Sequence, residues 1–123
     1  MRSKASSRGR CSFDTVRKLG LALPGVEEYI CYGTPALRVR KKLLARLRED
    51  GATLVVKIED SRRELLMQVD PETYFMEDHY IGYQVVLVRL SRIRPDSLQG
   101  LLQDAWTRLA SKRQLAQRDP TSP

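Results

Sequence analysis

A chain of 123 residues, with 41% hydrophobic and 30% charged residues, suits one domain; at this size a fold buries roughly two-thirds of its unfolded surface. The formal net charge of +7 favours polyanions over cationic partners, and no apolar run is long enough to span a membrane. Cys11 and Cys31 form neither a C-x-x-C pair nor a disulfide framework, so reduced thiols in the cytoplasm are expected.

Residues 1–11 read as a disordered basic arm. Arg2, Lys4, Arg8 and Arg10 stand there without an acidic residue or any apolar period, and they carry more than half of the excess charge. No apolar segment follows them, so no secretory leader is expected. Ser12 can cap a helix running to about Leu23, with Asp14 in its first turn and Phe13, Val16, Leu19 and Leu23 on one stripe. Pro24-Gly25 ends it. A short strand over Glu28–Tyr32 is followed by a break at Gly33-Thr34-Pro35. Ala36–Arg40 is a strand with Leu37 and Val39 on one side and Arg38 and Arg40 on the other.

Leu43 to Ile58 reads as a β-hairpin closed by Asp50-Gly51, a pair suited to a type I′ turn with φ > 0 at both central residues. A two-residue loop pairs Leu47 with Leu54, Ala45 with Val56 and Leu43 with Ile58, placing six apolar residues on one face. The other face carries Leu44, Arg46, Arg48, Thr53, Val55 and Lys57. A slip of one residue would drive the arginines into the core. For Val39 to share the buried face it should pair with Leu43. That leaves a three-residue loop, Arg40-Lys41-Lys42, which lacks a Gly or Asn and predicts strain or a longer loop.

Downstream, Ser61-Arg62-Arg63-Glu64 is a capping box for a short helix with Leu65, Leu66 and Val69, stopped by Asp70-Pro71. Thr73–Met76 suits a short strand and Tyr83–Leu90 a central one. Pro95 suits the first position of a helix whose stripe is Leu98, Leu101, Leu102, Ala105, Trp106 and Leu109, with Trp106 a core anchor. Residues 114–123 carry no structural signal and are expected as a flexible tail. One domain over 12–113 follows, of α+β class: two layers, an antiparallel sheet with helices on one face, in helix–strands–helix–strands–helix order.

Arg38, Arg40, Lys41, Lys42, Arg46, Arg48 and Lys57 gather on one face and one loop of the expected sheet. Such a surface can lie on phosphates without reading sequence. Aromatic residues do not interleave with these positions, so double-stranded DNA suits the patch better than a single strand. In Glu77-Asp78-His79-Tyr80, the lone histidine leaves a tetrahedral metal site short of ligands. A surface loop, or a small pocket built from Tyr32, His79, Tyr80 and Tyr83, is the expectation there. Cys31 and His79 lack an orienting third group. No Gly-rich phosphate loop and no G-x-S-x-G is present, so no catalytic residue, metal or cofactor is expected.

Several segments together resemble the MmcQ/YjbR family over residues 12–113. They are Leu23-Pro24-Gly25-Val26-Glu27-Glu28, Tyr32-Gly33-Thr34-Pro35-Ala36-Leu37-Arg38-Val39-Arg40, Leu47-Arg48-Glu49-Asp50-Gly51, His79-Tyr80-Ile81-Gly82-Tyr83 before Val86-Leu87-Val88-Arg89-Leu90, Ala105-Trp106 and Lys112-Arg113. The resemblance implies a small CyaY-like α+β fold with a "double-wing" motif and predicted DNA binding. This chain has Lys41, Ile81 and Gln84-Val85 where the family commonly has a glycine, a basic residue and Pro-Trp. The expected function is non-enzymatic DNA binding through a basic hairpin wing; the oligomeric state is left open, with a monomer slightly favoured. The alternative is a chaperone-like protein-interaction module using the exposed sheet face.

Overall fold

A computed structural model describes residues 11–118. Along the chain lie helix α1 (Phe13–Leu21), strands β1 (Val26–Cys31), β2 (Thr34–Val39), β3 (Lys42–Leu47) and β4 (Thr53–Lys57), and helix α2 (Asp60–Val69). Strand β5 (Tyr74–Phe75), a 3-10 turn (Asp78–Tyr80), strand β6 (Val85–Arg89) and helices α3 (Pro95–Leu109) and α4 (Lys112–Arg118) complete it. Residues 1–10 of the expected arm and 119–123 of the expected tail lie outside the described residues.

The strands form one six-stranded sheet in the order β1-β2-β3-β4-β6-β5, with every pairing antiparallel. Successive strand residues point to opposite faces, and those on one face are apolar enough to need a cover. Phe13 and Val16 of α1 and Leu98, Leu102 and Trp106 of α3 supply it, packing on Leu37, Val39, Leu54, Val56, Val86 and Val88. Trp106 is buried and its Nε1–H donates to the Pro24 carbonyl (2.8 Å). The class is therefore α+β in two layers. The opposite face carries a smaller cluster, Val55, Val85 and Leu87, with Phe75, Met76 and Tyr80 packed on it. Among the described residues no helix is long and apolar enough to cross a membrane.

The hairpin register is the expected one: Leu47 faces Leu54 and Ala45 faces Val56. The turn is not type I′. Gly51 has φ +70°, but Asp50 is not left-handed. The Gly51 N–H donates to the Arg48 carbonyl (2.9 Å), and the Asp50 carboxylate accepts from the N–H groups of Ala52 (2.8 Å) and Thr53 (2.9 Å). An aspartate side chain can close a turn on its own backbone in this way, with no need for a second left-handed residue.

The turn before it is tighter than expected. Val39 pairs with Lys42, not Leu43, and Arg40 and Lys41 are both left-handed, with φ of 54° and 65°. Continued without a break, that register would pair Leu37 with Leu44 and carry Arg46 into the core. A β-bulge prevents this. Leu37 faces Ala45 while Arg38 faces Leu43, which makes Leu44 the extra residue. Leu44 and Ala45 both enter the core, and Leu43, expected there, turns to the uncovered face.

Other boundaries shift as well: β1 begins at Val26 and β2 at Thr34, so the break expected over Gly33-Thr34-Pro35 is the two-residue turn Tyr32-Gly33. Helix α2 starts at Asp60 with Glu59 as its N-cap, so the Ser61–Glu64 box is not used. Arg63 instead reaches the carbonyls of Tyr83 (3.3 Å) and Val85 (3.5 Å), tying α2 to the sheet. Cys11 belongs to the folded body and not to the arm: its N–H donates to Leu90 O (3.1 Å) and its Sγ to Ile93 O (3.3 Å). Residues 114–118 belong to α4, which caps itself reciprocally. The Ser111 N–H donates to Gln114 Oε1 (2.9 Å), and the Gln114 N–H donates to Ser111 Oγ (3.2 Å).

Candidate functional site

The sheet face without helices holds a groove of about 750 Å³. Its floor is apolar: Leu43, delivered by the bulge, with Val55 and Val85. Arg46 of β3, Arg48 just past its end and Lys57 of β4 line the same groove, because alternate residues along paired chains point the same way. One wall is the β1–β2 turn with Cys31 and Tyr32. The other is the segment around the 3-10 turn, with His79, Tyr80 and Tyr83. Two smaller clefts, of about 280 and 430 Å³, lie elsewhere and are lined largely by charged residues.

Each arginine of the groove is held by an acid and a ring. Arg46 is nearly buried; it donates to Glu49 Oε2 (2.8 Å) and to the Cys31 carbonyl (3.4 Å), and its guanidinium lies 5.3 Å from the Tyr32 ring centroid. Arg48 donates to Glu77 Oε1 (2.9 Å) and lies 5.9 Å from the Tyr80 ring. The Glu77 hydrogen bond raises the Arg48 pKa. The Glu49 carboxyl is held below its ordinary range, first by its own backbone N–H and then by Arg46. Lys57 has no ion pair among the described residues. Tyr80 meets His79 (4.9 Å between centroids) and Tyr83 (6.5 Å) edge-on, the arrangement that ring quadrupoles favour.

The arrangement suits a ligand that combines negative charge with a flat apolar surface. Phosphate or carboxylate can exchange with Glu49 and Glu77 on the two guanidinium forks. The tyrosines offer ring faces at the rim. Among the described residues, no three of His, Cys, Asp and Glu gather in a way that could hold a metal ion.

The sequence profile of the YjbR family matches residues 21–108, well over half of the chain. The chain belongs to the YjbR family. This YjbR domain is also similar to uncharacterised proteins of Mycobacterium bovis and Mycobacterium tuberculosis, at 37% identity over 63 residues, 50% of this chain and 49% of theirs. It thus spans about half the length of the curated relatives it matches. A crystal structure of a Deinococcus radiodurans protein with a DUF419 domain superposes with a TM-score of 0.70 at 20% identity, covering 93% of this chain and 89% of that one. At that identity the likeness is one of fold.

The YjbR domain divides the seven expected basic residues. Arg46, Arg48 and Lys57 meet in the groove. Arg38 is on the same sheet face but outside it, bonded to Glu27 (3.0 Å) and 4.6 Å from the Tyr29 ring. Arg40, Lys41 and Lys42 are exposed at the β2–β3 turn, and Arg40 donates to the carbonyl of Leu109 on the helical layer (3.3 Å). The four expected pocket residues, Tyr32, His79, Tyr80 and Tyr83, all line the same groove as the three cations. The expectation that no aromatic residue interleaves with the basic patch is therefore overturned. It holds along the chain and fails in space, because the rings come from two other loops. Sequence reading also missed Leu43 as part of the site and did not foresee that Glu49 and Glu77 pair with Arg46 and Arg48. It missed Arg89 on the same face, with its guanidinium 4.0 Å from the Phe75 ring. The alternation of Val85, Leu87 and Arg89 carried that signal.

Proposed function

We propose that this YjbR domain is a non-enzymatic nucleic-acid-binding module for DNA, which holds phosphates on Arg46, Arg48 and Lys57 across the uncovered sheet face. The observation that supports it is the convergence of three cations and three tyrosines in one groove. Phosphate contacts of this kind position a nucleic acid without reading its sequence. The wing is then the uncovered face of β3 and β4, and the turn at Arg40-Lys41-Lys42 is peripheral to it. Two cysteines outside any disulfide pattern favour a cytoplasmic setting for such a module.

The test is affinity for fluorescein-labelled DNA at several salt concentrations, in the full chain. Arg48→Ala with Lys57→Ala should weaken binding and flatten the salt dependence by roughly 0.7–0.9 in log K per log salt for each phosphate that is no longer neutralised. An unchanged affinity and slope in that double variant would sink the reading.

Ile81, Tyr32 and Tyr83 are 71%, 85% and 61% exposed beside the groove, and exposed rings next to arginines also suit a protein interface. That observation favours a chaperone-like interaction module as the second reading. It gains if a captured protein, and no DNA, protects these three residues from solvent.

A further inference from the structure

Tyr32 is held where a tyrosine is disfavoured. It occupies the first position of the two-residue turn between β1 and β2, with φ +54° followed by Gly33 at +82°, and Cys31 faces Thr34. A turn with two left-handed residues is normally filled by Asn-Gly. A bulky side chain in that conformation is an outlier, and strain of this sort collects at functional sites. The ring gains little from the fold in return: it is 85% exposed, and its partner is the Arg46 guanidinium. The opposite wall is different in kind. Tyr80 is half-buried on the Val55, Val85 and Leu87 cluster, and Tyr83 stands edge-on to it at the rim. An exposed ring on one wall thus faces a half-buried ring and its exposed edge-on neighbour on the other, with Arg46, Arg48 and Lys57 between them.

We infer that the groove seats the unpaired bases of single-stranded DNA, stacked against Tyr32 and the Tyr80–Tyr83 pair, with the flanking phosphates on the three cations. The inference rests on the nucleic-acid reading above and specifies its ligand. A duplex keeps the faces of its bases inside the stack, so it can offer phosphates to the cations but no face to a tyrosine. An unpaired strand offers both, and aromatic side chains accept any base because each has a π-face. The groove volume of about 750 Å³ lies in the range of sites that enclose a ligand of nucleotide size, about 300–1,000 Å³.

The experiment compares three probes with the full chain at one salt concentration: a fluorescein-labelled 12-mer oligothymidylate, the same strand annealed to oligoadenylate, and inorganic polyphosphate as competitor. The oligothymidylate should bind at least about tenfold tighter than the duplex. Tyr32→Asn puts the residue favoured for this turn into it, so the variant should keep its melting temperature. It should lose about tenfold in affinity for the oligothymidylate while duplex and polyphosphate binding stay as in wild type. Tyr83→Ala, at an exposed position, should show the same selective loss. Equal affinities for single strand and duplex, or full oligothymidylate binding by both variants, would overturn the inference and leave phosphate binding by the domain standing. Binding of none of the three probes would remove both.

Discussion

Asp50 takes over what a left-handed backbone does in a tighter hairpin. Its carboxylate accepts from Ala52 N–H, Thr53 N–H and the Thr53 hydroxyl (2.8 Å). Partial burial opposes the charge, yet these donors and Arg48 hold the carboxyl below its ordinary range. A carboxyl depressed in the folded state stabilises the fold above its unfolded pKa of about 3.9, and that contribution is lost as pH falls through the folded value. Asp50→Ala should therefore cost about 1 kcal/mol at pH 7. The difference from wild type should narrow below about pH 4. Chemical denaturation at pH 7 and in acid checks both statements, and a difference that persists unchanged in acid would assign the effect to something other than the charge. The position of this turn was legible in Asp50-Gly51. Its type was not, because aspartate can close a turn either with its backbone or with its side chain.

Among the elements, the pairing of β3 with β4 was readable because apolar and basic residues alternate through it, and a slip would bury Arg46. The pairing of β2 with β3 was not. Leu43, Leu44 and Ala45 are three apolar residues in a row, so alternation cannot say which of them faces inward, and a bulge is free to sit there. The Arg40-Lys41 turn hid itself by lacking the Gly or Asn that marks such turns. Helix α1 rests on β2 through Gly20. A Cβ at Gly20 would stand 2.3 Å from Leu37 Cδ1, and Leu37 is fully buried. Gly20→Ala must push the helix away or move Leu37 out of its rotamer. We expect a loss of about 1–3 kcal/mol despite alanine's better helix propensity, measured as a lower denaturant midpoint. A gain in stability would mean that α1 and β2 are less closely packed than this.

For the whole molecule, the two layers follow from patterns local to each segment: the Leu98–Leu109 stripe, the Tyr83–Leu90 run and the central hairpin. The groove has no such local pattern. Its walls come from residues near 31, 46, 56 and 80, and only the strand order brings them to one place. Four of its rings and three of its cations are legible singly in the sequence, and their convergence is not. Helix α4 escapes notice although Ser111-Lys112-Arg113-Gln114 spells a capping box, since no long apolar stripe follows it.

The sole tryptophan gives the molecule a built-in optical gauge. Trp106 is sealed in the core behind the sheet, while the tyrosines of the groove stand on the other side of it. Unfolding should move the tryptophan emission to the red. Filling the groove should quench tyrosine emission and leave the tryptophan spectrum where it was. Any groove variant can then be sorted in one cuvette: a red-shifted tryptophan marks a chain that no longer folds, and an unshifted one with unquenched tyrosines marks a chain that folds and no longer binds. A tryptophan shift on adding oligothymidylate to the folded wild type would mean that the two faces of the sheet communicate.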